Sequence, residues 1–207
     1  MIEQSSLRNA ESLIRFGAEK LSSISNVPRL EAEMLLSNLL EINRIKFHTD
    51  DIGISSKIMD KFESMIESRF KGMPIAYLIG KKEFWSLDFE VNPSVLVPRP
   101  ETELLIENAI ELLKDHESAR ILELGTGSGI ISIVLYKELV TPEITATDIS
   151  YEALNVAKNN ADRYQIRDIN FLVSDWFSGL KIKNTISSSV IHRMLIKQNS
   201  QTKNYSG

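Results

Sequence analysis

Apolar residues recur at helical spacing through the first third of the chain. Leu7, Leu13, Ile14, Ala18 and Leu21 follow the three-to-four-residue repeat of an amphipathic helix. A second helix is predicted after Asn26, a capping residue, with Pro28 in its first turn and Leu30, Met34, Leu35 and Leu39 on one face. A third starts from a Ser55 or Ser56 cap, runs along Ile58, Phe62, Met65, Ile66 and Phe70, and ends at Lys71-Gly72. Residues 1–72 therefore read as a small helical bundle. Packing alone explains such stripes, and a partner-binding module is the alternative.

The pattern breaks between residues 73 and 100. Pro74, Gly80, Pro93, Pro98 and Pro100 interrupt helices, while Phe84-Trp85 and the alternation Leu87-Asp-Phe-Glu-Val91 suit a β-hairpin linker. Helical spacing resumes over 101–113 through Leu104, Leu105, Ala109 and Leu112, with Glu101 or Thr102 placed to cap or charge its start. Strands are then predicted over 120–124, 143–148 and 169–173, and helices over 129–139 and 150–163. This alternation implies a parallel sheet in an α/β fold. After Trp176-Phe177 the rhythm stops. The patch from Val190 to Ile196 is short and sits in a Ser/Asn-rich frame, so residues 184–207 read as a disordered tail.

Apolar residues make up 43% and charged residues 25%, the balance of an ordinary globular chain. No cysteine is present, which removes disulfide, thiolate and zinc-ribbon chemistry. His48, His116 and His192 are scattered, so no metal site is expected. A net charge of -4 argues against a whole-protein grip on nucleic acid. The run from Ile130 to Tyr136 is too short to span a bilayer, and the first residues lack a basic segment and an apolar signal core. Cytoplasmic residence is the expectation. Asp175 is the last acid, and residues 184–207 carry Arg193, Lys197 and Lys203 without a counter-charge.

The chemistry concentrates where the first predicted strand of the sheet meets its helix. Glu123-Leu-Gly-Thr-Gly-Ser-Gly129 spaces its glycines as E-x-G-x-G-x-G. A dinucleotide fingerprint would place its third glycine at position 130, which is Ile. The pattern resembles motif I of the S-adenosylmethionine-dependent methyltransferases. A ligand of that kind has no pyrophosphate, so the helix N-terminus would face the carboxylate end of its methionine moiety or nearby polar atoms. Gly125, Thr126, Gly127, Ser128 and Gly129 are the candidate loop contacts. Asp148 ends the second strand, where a carboxylate can accept both hydroxyls of a ribose or cap the helix beginning near Ser150. Glu123 can organise the loop, reach the ligand's amino group through water, or be a satisfied strand carboxylate. Asp175-Trp176 follows the third strand, where Trp can stack on adenine and Asp can accept from its exocyclic amine. Arg99 can anchor a substrate or pair with Glu103.

Further segments sharpen the resemblance. Gly72-Met-Pro-Ile-Ala-Tyr-Leu-Ile-Gly80, Glu83-Phe-Trp, Val95-Leu-Val-Pro-Arg-Pro-Glu-Thr-Glu103, the glycine run, Asp148 and Ser174-Asp-Trp176 occur in order. Together they resemble the peptide chain release factor glutamine methyltransferases over residues 5 to 183. The resemblance implies an N-terminal helical bundle that helps to hold the release factor (1–72), a hairpin linker (73–100) and an incomplete Rossmann-like methyltransferase sheet (101–183), followed by a tail unlike the family (184–207). It implies S-adenosyl-L-methionine as cofactor, held by Gly125 to Gly129, Asp148 and Trp176. It also implies transfer of a methyl group to the side-chain amide nitrogen of the glutamine in a release factor's Gly-Gly-Gln loop.

One family feature is missing. The family carries an Asn-Pro-Pro-Tyr loop after its fourth strand, which grips the glutamine amide; this sequence contains none. The expectation is a truncated, inactive chain whose first sheet strand is an exposed edge. Two other readings compete. One is a non-catalytic fragment that binds a partner through its helices. The other is an adenine-methylating nucleic-acid enzyme, against which the acidic charge and the Pro-Arg-Pro-Glu-Thr-Glu segment both speak.

Overall fold

A computed structural model describes residues 9–116, 118–178 and 180, together with the backbone of residues 188–192. The chain divides into two compact units. One runs to residue 82 and includes 91–93; the other comprises 83–90 and the chain from residue 94 onward.

The first unit is helical: α1 (Ala10–Leu21), α2 (Pro28–Leu40), α3 (Lys46–Thr49), α4 (Ser56–Phe70) and α5 (Ile75–Ile79). Asn9 caps α1 by accepting the Ser12 N–H at 3.0 Å, and Ser55 caps α4. Asn26 does not cap α2. Val27 occupies that position, its N–H bonded to Ser25 Oγ, and Pro28 opens the helix without needing an N–H partner. The buried face of α2 is also rotated from expectation. Leu35 and Leu36 are fully buried, whereas Leu30 is exposed. Leu13, Ile14, Phe62 and Ile66 complete the core. Gly17 lets the helices close, since a Cβ there would lie 2.8 Å from Ile66 Cδ1 and 2.9 Å from Phe62 Cζ. The short α3 and α5 escape periodicity arguments, which need more turns than they have. Leu7, assigned to the first helix, lies outside the described residues.

The second unit contains a parallel sheet and, from residue 83, most of a hairpin. β1 (Lys81–Phe84) and β2 (Leu87–Glu90) join through Trp85 and Ser86, both at positive φ (53° and 57°), as a two-residue primed turn requires. Then come α6 (Glu101–Leu113), β3 (Arg120–Leu124), α7 (Ile130–Glu138), β4 (Glu143–Asp148), α8 (Tyr151–Arg163), β5 (Ile169–Val173) and β6 (Ser188–His192). No side chain caps α6, whose N-cap position is Pro100. The sheet order is β5-β4-β3-β6, with each pair parallel.

β3 is therefore not an edge, which corrects the sequence expectation. β6 pairs along its length, with Leu122 opposite Val190 and Leu124 opposite His192. The N–H and C=O groups of β3 recruit a short strand from a segment that shows little strand pattern by itself. Helix α7 is buried all round from Ile130 to Leu135, including Ser132. An apolar helix of that kind needs cover on every face. Among the described residues no helix is long and apolar enough to cross a membrane.

Candidate functional site

β3, β4 and β5 end together, and the loops after them enclose a cleft. The first loop is the glycine run. The N–H groups of Gly125 and Thr126 both donate to the Thr147 carbonyl at 2.8 Å, which folds the loop back over the end of β4. Gly125, Gly127 and Gly129 take φ values of 73°, 57° and 79°, a region that side chains enter only at a cost. The outer two glycines serve different ends. A Cβ at Gly125 would meet no atom within 4 Å and would project into open space. A Cβ at Gly129 would lie 3.0 Å from Ala157 Cβ and 3.2 Å from its Cα, so this glycine lets α7 and α8 pack.

Glu123 secures the loop from below. It is fully buried, and its Oε2 accepts the Thr126 hydroxyl at 2.9 Å, the Ser132 N–H at 3.2 Å and the Ser132 hydroxyl. Three donors on one carboxylate oxygen tie the end of β3, the loop and the first turn of α7 together. This arrangement favours the loop-organising role for Glu123.

Asp148 stands at the mouth. Its Oδ2 accepts the Gly127 N–H at 2.9 Å and its Oδ1 accepts the Ser150 N–H at 3.0 Å. Helix α8 is capped by Ser150, whose Oγ accepts the Ala153 N–H at 3.1 Å, so Asp148 is not needed as the cap. Ser150 also donates to Glu152. The Glu152 backbone N–H and this hydroxyl hold that carboxyl below its ordinary value. Each Asp148 oxygen keeps acceptor capacity beyond its backbone bond.

The third loop is ordered by Ser174. Its N–H donates to the Asp148 carbonyl, and its hydroxyl lies 2.9 Å from the Trp176 carbonyl and 2.6 Å from that of Ser178. The tight turn leaves Trp176, which lines the cleft, at φ 53° and 58% exposed. The facing wall is formed by residues 94–96, just beyond the hairpin. Buried Asn160 ties that hairpin to α8 and to the glycine loop.

The cleft has a volume of about 480 Å³, the scale of a small-molecule site. Its lining includes Asp148 and Asp175 and, among the described residues, no Lys or Arg. Asp148 can accept ligand hydroxyls, and Trp176 can stack on an aromatic base.

The structure brings Gly125, Gly127, Asp148 and Trp176 to this cleft. Thr126 and Ser128 are buried beneath the loop, and Gly129 serves the helix contact. Arg99 is exposed and does not line the cleft. Sequence reasoning misses Asn160. The available signal is its place on the apolar stripe of α8, among Val156, Ala157 and Ala161. An amide there must find partners.

Residues 12–80 match the PrmC N-terminal domain, and residues 115–204 match a methyltransferase domain. The release factor glutamine methyltransferase of Coxiella burnetii is 40% identical over 164 residues, covering 79% of this chain and 59% of that protein. The protein of the same description from Shewanella oneidensis is 36% identical over 181 residues, covering 87% and 62%. That from Buchnera aphidicola subsp. Schizaphis graminum is 41% identical over 166 residues, covering 80% and 60%. The chain thus spans about 60% of the length of these curated relatives.

Proposed function

We infer, from the chain's membership of the release factor glutamine methyltransferase family, that the cleft binds S-adenosyl-L-methionine and belongs to a methyltransferase acting on peptide chain release factors. The observation that carries the cofactor reading is the glycine loop opening onto a cleft beside Asp148, whose carboxylate accepts the Gly127 N–H. The cofactor supplies a methyl group activated by a sulfonium. Asp148 accepts the ribose hydroxyls while its two backbone bonds hold it in place. Trp176 covers the adenine ring, and Asp175 accepts from the exocyclic amine. The positive sulfonium suits a lining whose charged members are acids.

The acceptor is the side-chain amide nitrogen of the glutamine in a release factor's Gly-Gly-Gln loop, and the helical unit helps to hold that protein. Release factors work on the ribosome, so the enzyme works in the cytoplasm. An acid-lined cleft does not favour a nucleic-acid strand as direct substrate. The 207 residues contain no Asn-Pro-Pro-Tyr to grip the amide. Positioning supplies ~7–11 kcal/mol of a barrier in well-oriented reactions. The chain by itself therefore binds cofactor without appreciable turnover.

Calorimetric titration with S-adenosylmethionine, paired with transfer of labelled methyl to a purified release factor, tests both parts. Binding without transfer is expected. Absence of binding overturns the cofactor reading, and detectable transfer to the glutamine overturns the inactivity of this chain.

A further inference from the structure

We propose that Asn160 is a positioning residue that sets the width of the cleft by clasping the hairpin and the glycine loop to one point on α8. The inference rests on the cofactor reading for its link to binding, while the clasp itself rests on geometry. Asn160 is completely buried. Its Oδ1 accepts the Glu90 N–H at 2.7 Å, and its Nδ2 donates to the Glu90 carbonyl at 3.0 Å and to the Ser128 carbonyl at 2.9 Å. The side-chain amide thus docks on the Glu90 backbone as a neighbouring strand would, and uses its remaining N–H on the loop.

Both partners lead directly to the cleft. Glu90 ends β2, and the chain reaches the facing wall four residues later at Ser94. Ser128 lies between Gly127, which lines the cleft, and Gly129, which packs on α8. The hairpin rests on the same helix at other points. Tyr164 and Arg163 both donate to the Asp88 carbonyl, at 2.8 Å and 3.2 Å, and the Phe89 and Tyr164 rings lie 5.8 Å apart. Those contacts seat the hairpin. Asn160 also reaches the glycine loop, so a shift of one cleft edge is resisted by the other.

A leucine has the same branching as asparagine but leaves the Glu90 N–H and carbonyl, both part-buried, and the buried Ser128 carbonyl without this partner. An aspartate is closer still. Ionised, it keeps the bond from the Glu90 N–H but sets a negative oxygen against two carbonyls. Protonated, it can donate to one of them. Asn160→Asp therefore regains the clasp in acid, whereas Asn160→Leu does not. The titratable groups on the elements around this point are Asp88 and Glu90 on β2, Glu123 beneath the loop, Lys158, Asp162 and Arg163 on α8, and Tyr164 just after it. All are present in the parent chain, whose own pH profile is the reference.

Burial and the two facing carbonyl oxygens raise the introduced carboxyl above the ordinary aspartate range, so titration with S-adenosylhomocysteine at about pH 8 and about pH 5.5 reads the effect. Asn160→Asp is expected to bind about tenfold more weakly than the parent at the higher pH and to recover several-fold, relative to the parent, at the lower. Asn160→Leu should be weakened at both. Asn160→Asp within about twofold of the parent at the higher pH, or a pH profile shared by both variants, overturns the proposal.

If neither variant folds, hydrogen exchange on the parent decides. Saturating ligand should slow the Glu90 and Gly129 amides together, and slowing at Gly129 alone overturns the coupling. If the parent does not bind the ligand, the cofactor reading fails separately. The clasp is then tested by exchange on folded Asn160→Asp without ligand. Faster exchange at both amides supports it, and unchanged exchange overturns it.

Discussion

The Asp148 carboxylate accepts the Gly127 N–H at 2.9 Å, joining the acid at the end of β4 to the middle glycine of the loop after β3. The second oxygen accepts the Ser150 N–H, so neither oxygen can swing away from the cleft without losing a charge-assisted bond. An acid held this way is oriented before a ligand arrives. It also makes the loop's shape depend on the group that is proposed to hold the ribose.

Replacing Asp148 should therefore act on binding and on loop order together. Asp148→Ala removes the ribose acceptor and frees the Gly127 N–H. Two hydrogen bonds to a charged group are worth enough to weaken S-adenosylhomocysteine about 10- to 100-fold. Asp148→Asn keeps one acceptor but must turn its amino group toward a backbone N–H, so it should fall between the parent and the alanine variant. Calorimetric titration gives the affinities, and exchange at the Gly127 amide reports the loop. Unchanged affinity in Asp148→Ala would sink the ribose role.

The glycines at the two ends of the loop should respond in opposite ways to alanine. Gly125→Ala places a methyl group in open space on the cleft side, at a left-handed strain of ~1–2 kcal/mol. Affinity should fall by about tenfold or more while the fold survives. Gly129→Ala adds a clash with Ala157 to the same strain. Its stability loss should be larger, ~2–4 kcal/mol, because α7 and α8 must separate. Urea denaturation of the two variants checks this division. A Gly125→Ala loss equal to that of Gly129→Ala would refute it.

Much of this site is legible in the chain alone, for physical reasons that differ by element. β3 and β5 are short, mostly apolar runs and β4 alternates Ile and Ala with Thr, and the observed bounds agree with the sequence reading. The glycine run and Asp148 declare themselves because few other roles require that spacing. β6 does not, since Ser188-Ser-Val-Ile-His192 becomes a strand through the backbone groups that β3 offers it. The α2 cap is misread because Asn26 has the right chemistry one position too early, while Pro28 sets the start. Asn160 is hidden because its partners, Glu90 and Ser128, lie 70 and 32 residues away in sequence.

The hairpin turn leaves room for improvement. Ser86 sits at φ 57° in a position where a primed turn favours glycine. Ser86→Gly should relieve ~1 kcal/mol of strain. For a chain of this size that raises the melting temperature by about 2–4 °C. The neighbouring Trp85 shares the strained geometry, but its indole N–H donates to Glu138 at 2.9 Å and its ring packs on the core. Trp85→Gly should therefore destabilise despite relieving its own strain. Scanning calorimetry on the pair tests the argument, and a lower melting temperature for Ser86→Gly would contradict it.

Acid should weaken the helical unit through its ion pairs. Arg29 donates two hydrogen bonds to Glu11, which holds that carboxyl below its ordinary value of 4.5, and a hydrogen bond from Lys20 does the same for Glu67. Depressed values mean that the unfolded chain takes up these protons first. The stabilisation is complete above the ordinary carboxylate value and disappears as pH falls through the lower folded value. Glu11 is 56% exposed, so screening keeps its pair below about 1 kcal/mol. Glu11→Gln should therefore lower stability slightly at neutral pH, and the difference from the parent should shrink with salt and close in acid. Denaturation curves along a pH series measure it. A difference that persists unchanged below the titration of Glu11 would mean that packing, and not charge, links α1 to α2 at this point.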